Sequence, residues 1–255
     1  MILARLSQAI RTQNWFAVML EFVIVIAGVV IGFQVTAWAD ARQDRAAEQA
    51  ILSQLRDDFE ELRATEEAYL ERAGQQQRLM ALWIGALEDP EPVDMSRMQR
   101  IVLDFYATED PEHGAALAAA PLHDVFTDPI GGERRPAVSI VFQQLVASGD
   151  LRLVRSETLR AALTRRDAQR AQSIAALDRN NSAGEYPMAQ AFLEPVFQAG
   201  SPDPTESLNA AMARPEFASG LRTFAGLRTY NEVWYRYVYD ETLTVLAVLD
   251  DEGTE

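Results

Sequence analysis

One segment constrains the fold more than any other: the almost wholly apolar run at residues 15–38, WFAVMLEFVIVIAGVVIGFQVTAW. More than half of its residues are Val, Ile, Leu or Phe, which together favour insertion into a bilayer by roughly 4 to 8 kcal/mol. As a helix it is about 36 Å long, enough to cross a hydrocarbon core of about 30 Å. Trp15 and Trp38 lie at its ends, where aromatic residues are enriched in membrane spans. The segment is therefore predicted to be a transmembrane helix.

Glu21 is an acidic residue inside this segment. A charge costs at most about 3 kcal/mol at the bilayer centre and less near an end, so the apolar residues outweigh it. At about 100° per residue, Gly28 and Gly32 lie within about 20° of Glu21 around the helix. Their spacing allows two membrane helices to approach closely. We expect these three residues to form a helix-packing face for a second copy or another membrane protein. The alternative is that Glu21 extends to the lipid headgroups.

A cleaved signal peptide is the main alternative for the apolar segment. Arg5 and Arg11 would form its basic region, residues 22–33 its apolar region, and residues 37–39 its cleavage site. The apolar run begins at Phe16, however, and is longer than such a region needs. An uncleaved anchor is therefore the favoured interpretation.

The charges on either side of the span bear on its orientation. Arg5 and Arg11 precede the span while Arg42 and Arg45 follow it, so the positive-inside count is nearly even. The whole chain nevertheless has a net charge of −15, and a short basic tail before a long acidic domain favours a cytoplasmic tail at residues 1–14. We expect a single-pass protein of a bacterial inner membrane with a periplasmic C-terminal domain.

A heptad pattern follows the apolar segment. From Leu52 to Leu87, positions separated by alternating steps of three and four residues are mostly apolar, and Glu66 is one of the polar interruptions. The pattern stops at Asp89-Pro90. It predicts an amphipathic stalk helix over residues 39–90 that packs on its own domain. The alternative is an intermolecular coiled coil.

The remainder, residues 91–255, shows helical patterns and no convincing alternating strand. Gly149 is predicted to end one helix and Ser156 to begin the next. The segment 107–137 contains several prolines and Gly131-Gly132, and it is predicted to be a long loop. The predicted fold class is all-α: a single N-terminal transmembrane helix that continues into a long amphipathic helix, with an elongated helical-bundle domain.

Two stretches of this sequence resemble a known family. Residues 20–42, LEFVIVIAGVVIGFQVTAWADAR, combine an acidic residue, an aliphatic run with spaced glycines, a glutamine and a tryptophan. Residues 141–163, VFQQLVASGDLRLVRSETLRAAL, contain a helix that ends in Ser-Gly and a Ser-capped helix with Leu-Arg. Both resemble the bacterial membrane protein family catalogued as domain of unknown function 6090, which tends to have tyrosines in place of Arg165 and Arg166. The resemblance implies a helical membrane protein with one span and supplies no activity.

Few residues in the chain point to catalysis. The absence of cysteine excludes disulfides and thiol catalysis, and no nucleophile, phosphate-loop or metalloprotease motif occurs. The two histidines, His113 and His123, lie in the 107–137 segment near acidic residues such as Asp124. These three residues form a possible ligand site, although a metal would require histidines and carboxylates to converge. A solvated acidic loop is the favoured interpretation.

These observations favour a membrane-anchored helical interaction or scaffold protein that is not an enzyme and needs no cofactor. We expect it to contact the lipid bilayer and to be oligomeric or an accessory subunit of a larger membrane assembly. The alternative is a periplasmic sensor or enzyme with a ligand or metal site in the 107–137 segment. A pI of about 4.6 makes nucleic acid a poor partner. The aromatic stretch at residues 230–242 is predicted to be core with a partly exposed rim, and a partner-binding face is the alternative.

Overall fold

The structure is a computed structural model that describes residues 15–89, 93–129, 135–182, 209–210 and 212–252. Within these ranges every regular element is a helix and no strand occurs, which confirms the all-α fold class. The predicted tail at residues 1–14 lies outside the described residues. The same holds for residues 183–208.

The helices follow one another along the chain. They are α1 (Trp15–Glu88), α2 (Met95–Glu109), α3 (Pro111–Ala119), α4 (Leu122–Thr127), α5 (Ile140–Ser148), a short 3-10 helix (Asp150–Leu153), α6 (Glu157–Asn180) and α7 (Pro215–Glu252).

The chain divides into two compact units, residues 1–53 and 54–255. In the first unit, an apolar stretch of α1 has a mean hydropathy of 2.2, and none of it is buried by the residues that the structure describes. Large apolar side chains such as Phe22, Ile24 and Phe33 are exposed there. By length and composition, α1 is therefore the one helix among the described residues that could cross a membrane.

The second unit contains the apolar core. In α1 the heptad positions Leu55, Phe59 and Leu62 are buried within this unit, as the intramolecular interpretation of the pattern predicts. A larger cluster of buried side chains draws on α1, α2, α3 and α4 and on the start of α7; it includes Leu79, Trp83, Met98, Val102, Leu117, Phe126 and Leu221. Helices α6 and α7 pack along each other. α1 ends at Glu88, next to the predicted stop at Asp89-Pro90.

Local capping sets the helix boundaries in the middle of the chain. Gly149 follows α5 with a left-handed φ of 80°, a conformation that glycine adopts without strain. Ser156 begins α6, and its hydroxyl accepts a hydrogen bond from the backbone N–H of Leu159 at 3.1 Å. Both predicted boundaries are confirmed.

The prediction of a long loop over residues 107–137 is wrong for much of that segment, since α3 and α4 lie within it. Pro111 occupies the start of α3, where a helix loses nothing through the missing N–H. Asp110 caps that helix, because its carboxylate accepts a hydrogen bond from the backbone N–H of His113 at 3.1 Å. Pro121 likewise stands immediately before α4. These prolines begin helices.

Gly114 is also a packing residue rather than a turn residue. It is buried in α3, and a Cβ atom at this position would lie 3.1 Å from the backbone carbon and from the Cβ of Tyr106. Only a residue without a side chain allows α2 and α3 to approach this closely.

Candidate functional site

A polar cluster joins α1, α2, α3 and the residue that follows α4. Its members, which we call the Asp128 cluster, are Arg72, Tyr106, His113 and Asp128. The carboxylate is at the centre. Its Oδ2 accepts a hydrogen bond from the hydroxyl of Tyr106 at 2.5 Å, and its Oδ1 accepts one from Nη2 of Arg72 at 2.5 Å. Nε2 of His113 lies 2.9 Å from the same Oδ1.

Backbone contacts hold the carboxylate in place. Gln76 lies one turn after Arg72 on α1, and its Nε2 donates a hydrogen bond to the backbone carbonyl of Asp128 at 2.7 Å. The N–H of Asp128 in turn donates to the carbonyl of Asp124 at 3.1 Å, closing the last turn of α4. α1 therefore contacts both the side chain and the backbone of Asp128.

Tyr106 is the buried floor of the cluster. The ring of His113 meets its ring edge-on, with centroids 4.7 Å apart, and the guanidinium of Arg72 lies 5.3 Å from its centroid. Burial raises the pKa of the Tyr106 hydroxyl above its ordinary value of 10.0, and the hydrogen bond to Asp128 and the charge of that carboxylate raise it further. Tyr106 therefore stays protonated and donates its hydrogen bond at any ordinary pH.

The cluster is partly open to solvent. The side chains of His113 and Arg72 are 26% and 32% exposed, whereas that of Asp128 is 10% exposed. Water and protons therefore reach the imidazole directly, while the carboxylate that orients it is largely shielded.

Of the three residues predicted as a possible ligand site, the structure describes the side chains of His113 and Asp124. His113 is brought to Asp128 and Arg72. Asp124 is exposed on α4, and the side chain of His123 lies outside the described residues. In the described part of the chain, no group of three or more His, Asp or Glu side chains could hold a metal ion. Arg72 and Tyr106 were not predicted, because nothing in their local sequence links them to residue 128.

A second polar cluster lies in the core and is closed to solvent. Nη2 of Arg166 donates to Oε1 of Glu66 at 2.6 Å, and its Nε donates to the hydroxyl of Thr242 at 3.2 Å. All three residues are buried. Burial raises the pKa of the Glu66 carboxyl, and the positive charge of Arg166 partly opposes that rise. We interpret this group as structural, since no ligand can reach it without opening the helices.

Among the described residues, none covers the predicted packing face on the membrane segment. Glu21 is exposed, and no described atom lies within 4 Å of a Cβ atom built at Gly28 or Gly32. The hydroxyl of Thr36 donates to the carbonyl of Gly32 at 3.1 Å, which satisfies that polar side chain locally.

The aromatic stretch of α7 divides between core and surface. Tyr235 is buried and its ring lies 4.0 Å from that of Tyr69, measured between centroids. Tyr230 and Tyr237 are 48% and 49% exposed, and each meets the ring of Trp234 edge-on. We call Tyr230, Trp234 and Tyr237 the aromatic strip. The stretch is therefore core on one face of the helix with an exposed rim at the strip, as predicted from the sequence.

A cleft between α1 and α7 is too small to bind a substrate. Tyr69, Gln76 and Arg228 are among the residues that line it, and it has room for about one water molecule. Small-molecule sites are commonly some 300–1,000 Å³ in volume.

No protein family model matches the chain, and neither a curated protein nor a solved structure matches it. The family resemblance of residues 20–42 and 141–163 therefore stays a prediction.

Proposed function

We propose that this protein is a single-pass anchor of a bacterial inner membrane whose helical domain acts as a scaffold or interaction module in a larger membrane assembly. The observation that carries the proposal is the uncovered apolar part of α1, which continues without a break into the heptad region of the same helix. The helix runs from Trp15 to Glu88 without interruption.

The energetics favour a lipid environment for the apolar part. Burying a side chain such as Phe22, Ile24 or Phe33 is worth about 1.5–3 kcal/mol each. These side chains are exposed, as are most of their apolar neighbours. A single-pass anchor would bury all of these side chains in lipid. In a water-soluble chain they would form an apolar surface that associates nonspecifically.

The aromatic strip of α7 supports an interaction role for the domain. Tyrosine and tryptophan are enriched among the residues that carry most of the binding energy in protein interfaces. Tyr230 and Tyr237 expose about half of their surface, and Val233 beside them is 42% exposed. The strip fits a protein partner, since its rings can be covered by an apolar face of a neighbouring subunit.

The membrane segment offers a second contact. We propose that the Glu21–Gly28–Gly32 face docks on the span of a second copy or of another membrane protein, where a donor from the neighbouring helix would satisfy the carboxylate of Glu21. The open space at both glycines supports this proposal.

A periplasmic sensor is the second candidate function. The observation in its favour is the partly exposed imidazole of His113, held between a buried carboxylate and a guanidinium. Such a group responds to protons or to a small charged ligand. An enzyme has less support, because the Asp128 cluster contains no activated nucleophile.

A site-specific photo-cross-linking experiment tests the interaction role. A cross-linking amino acid replaces Tyr237 in the full-length protein, and a matched variant carries it at Thr229, an exposed residue of α7 outside the strip. We expect an adduct of one defined mass from position 237 in intact cells and none from position 229. Equal yields from the two positions, or no adduct from either, would contradict an interface at the strip.

A fusion experiment tests the membrane orientation. A reporter that is active only in the periplasm is attached after Glu255 of the full-length chain. Activity is the expected result, and a companion reporter that is active only in the cytoplasm should give none. The reverse pattern would show that the helical domain faces the cytoplasm.

A further inference from the structure

We propose that the Asp128 cluster is a proton-responsive junction, in which the imidazole of His113 bonds to Arg72 when it is neutral and to Asp128 when it is protonated. The inference goes beyond the scaffold function, since it concerns how one part of the domain responds to pH. It rests on the position of a single atom, Nε2 of His113.

This atom lies between a donor and an acceptor. It is 2.7 Å from Nη2 of Arg72, which always carries protons, and 2.9 Å from Oδ1 of Asp128. An imidazole nitrogen either carries a proton and donates or carries a lone pair and accepts. With a lone pair, Nε2 accepts from Arg72 and faces the carboxylate without a hydrogen bond. With a proton, Nε2 donates to Asp128, and its N–H group then faces an N–H group of Arg72.

When the neutral imidazole carries its proton on Nδ1, gain of a second proton decides between these two arrangements. Histidine gains its second proton in the range of about pH 5–8, and both ring nitrogens are then donors. Two cations, Arg72 and His113, would then share the one carboxylate of Asp128. The contact between Nε2 and Nη2 changes from a hydrogen bond to a repulsion between like charges.

The charged groups around the imidazole come from every helix packed against α3. Arg72 faces it from α1, Tyr106 from α2, and Asp128 from the end of α4. Among the described side chains nearby, there are three further carboxylates: Asp110, which caps α3, the exposed Glu112, which precedes His113, and the exposed Asp124 of α4. Tyr106 remains neutral and keeps its bond to Asp128.

When the imidazole is protonated, Arg72 is the side chain that moves away. Its side chain is the more exposed of the two cations and is long enough to extend into water. His113 is held by the edge contact of its ring with Tyr106 and by its place on the capped first turn of α3. On acidification, the link between α1 and α3 through Arg72 and His113 is therefore lost. The nine-residue helix α3 is then held mainly by the packing of Gly114 and Leu117.

Hydrogen exchange tests this proposal on the full-length protein in detergent micelles. Exchange is followed by mass spectrometry at about pH 5.5 and pH 7.5, which lie on either side of the middle of the range in which histidine titrates. The rates are corrected for the intrinsic exchange rate at each pH. We expect the amides of residues 111–119 to exchange several-fold faster in acid. His113→Gln should remove that difference. His123→Gln, the control at the other histidine in the sequence, should retain it.

Three results would overturn the proposal: no acid-dependent difference in the wild-type protein, a difference that survives His113→Gln, or one that His123→Gln removes.

In case His113→Gln does not fold, Arg72→Met offers a second route. It removes the competing donor, so exchange in residues 111–119 should become independent of pH. Nitrogen NMR of the wild-type imidazoles gives a third readout. Nε2 of His113 should change from acceptor to donor on acidification, and a proton on Nε2 throughout would refute the switch.

Discussion

Arg166 of α6 and Glu66 of α1 are 100 residues apart in the chain, yet Nη2 of the one lies 2.6 Å from Oε1 of the other inside the core. The same guanidinium donates to Thr242 of α7, so a single side chain connects three helices. Because desolvation offsets much of the attraction within a buried ion pair, we infer that this pair specifies which helix faces meet more than it stabilises them. Two predictions follow from that inference.

Arg166→Met should be strongly destabilising. It leaves the Glu66 carboxyl buried without its partner, and we expect the free energy of unfolding to fall by about 3–5 kcal/mol. The double variant Glu66→Leu/Arg166→Met should recover most of that loss, because an apolar pair has no charge to desolvate. Urea titration of the full-length protein in detergent measures both effects.

Arg63→Met is the matched control for this comparison. Arg63 makes an ion pair with Glu60 at the surface, with 42% of its side chain exposed, and its loss should have little effect on stability. A cost for Arg166→Met no larger than that of the control would mean that the buried pair does not organise the core.

Glu66 should also make stability depend on pH. Burial raises its pKa in the folded chain above the ordinary 4.5, so the folded chain holds a proton that the unfolded chain has already lost. The contribution of this group therefore falls as pH rises from about 4.5 to the raised folded value, by at most about 1.4 kcal/mol per pH unit. Outside that interval it is constant. Glu66→Gln should abolish this component of the pH dependence.

The difference in unfolding free energy between the wild-type protein and Glu66→Gln isolates the effect of Glu66, because the two proteins share all other titrating groups. It is obtained from unfolding free energies measured at several pH values between about 4 and 8. Parallel curves for the two proteins would show that Glu66 has the same affinity for protons in the folded and unfolded chains.

Gly114→Ala should destabilise the junction of α2 and α3. The added methyl group would lie 3.1 Å from the backbone and side chain of Tyr106, and the helices would have to separate slightly. We expect a net loss of about 1–2 kcal/mol, since overpacking outweighs the gain in helix propensity. Gly85→Ala is the control, because nothing lies within 4 Å of the new Cβ atom in that exposed part of α1. It should raise stability by about 0.5–1 kcal/mol, and an equal gain from Gly114→Ala would contradict close packing at Tyr106.

The membrane segment should self-associate or dock on another span through one face. Replacing Gly28 and Gly32 by Ile fills the space that a neighbouring backbone would occupy, so association in a membrane two-hybrid assay should be lost. Val29 and Val30 changed to Ile alter apolar bulk on other faces and should leave association intact. Equal effects of the two double variants would identify Glu21 as a residue that only extends to the headgroups.

Features that depend on neighbouring residues could be predicted from the sequence. The helix boundaries at Gly149 and Ser156 rest on a backbone conformation and a side-chain cap that act within one turn. α3 and α4 were missed because Pro111 and Pro121 suggested a loop. The signal that could have corrected this is Asp110-Pro111, an acidic cap followed by a proline at the first helical position.

Contacts between distant segments could not be predicted in the same way. Glu66 was recognised only as a polar interruption of the apolar seam, and any of the 23 basic residues could have been its partner. His113 was recognised only by residue type. Its partners Arg72 and Asp128 are 41 and 15 residues away, and the packing of α3 between them decides the contact.

The arrangement of Glu66, Arg166 and Thr242 also determines when this core can be completed during synthesis. Arg166 follows Glu66 by 100 residues and Thr242 follows Arg166 by a further 76. At about 5–20 residues per second, the ribosome adds the last partner roughly 10–30 s after the carboxylate. Throughout that interval the seam of α1 has no complete surface to pack against, and the Glu66 carboxylate stays hydrated. The apolar seam of α1 therefore stays open to contact with other apolar surfaces until α7 has been synthesised.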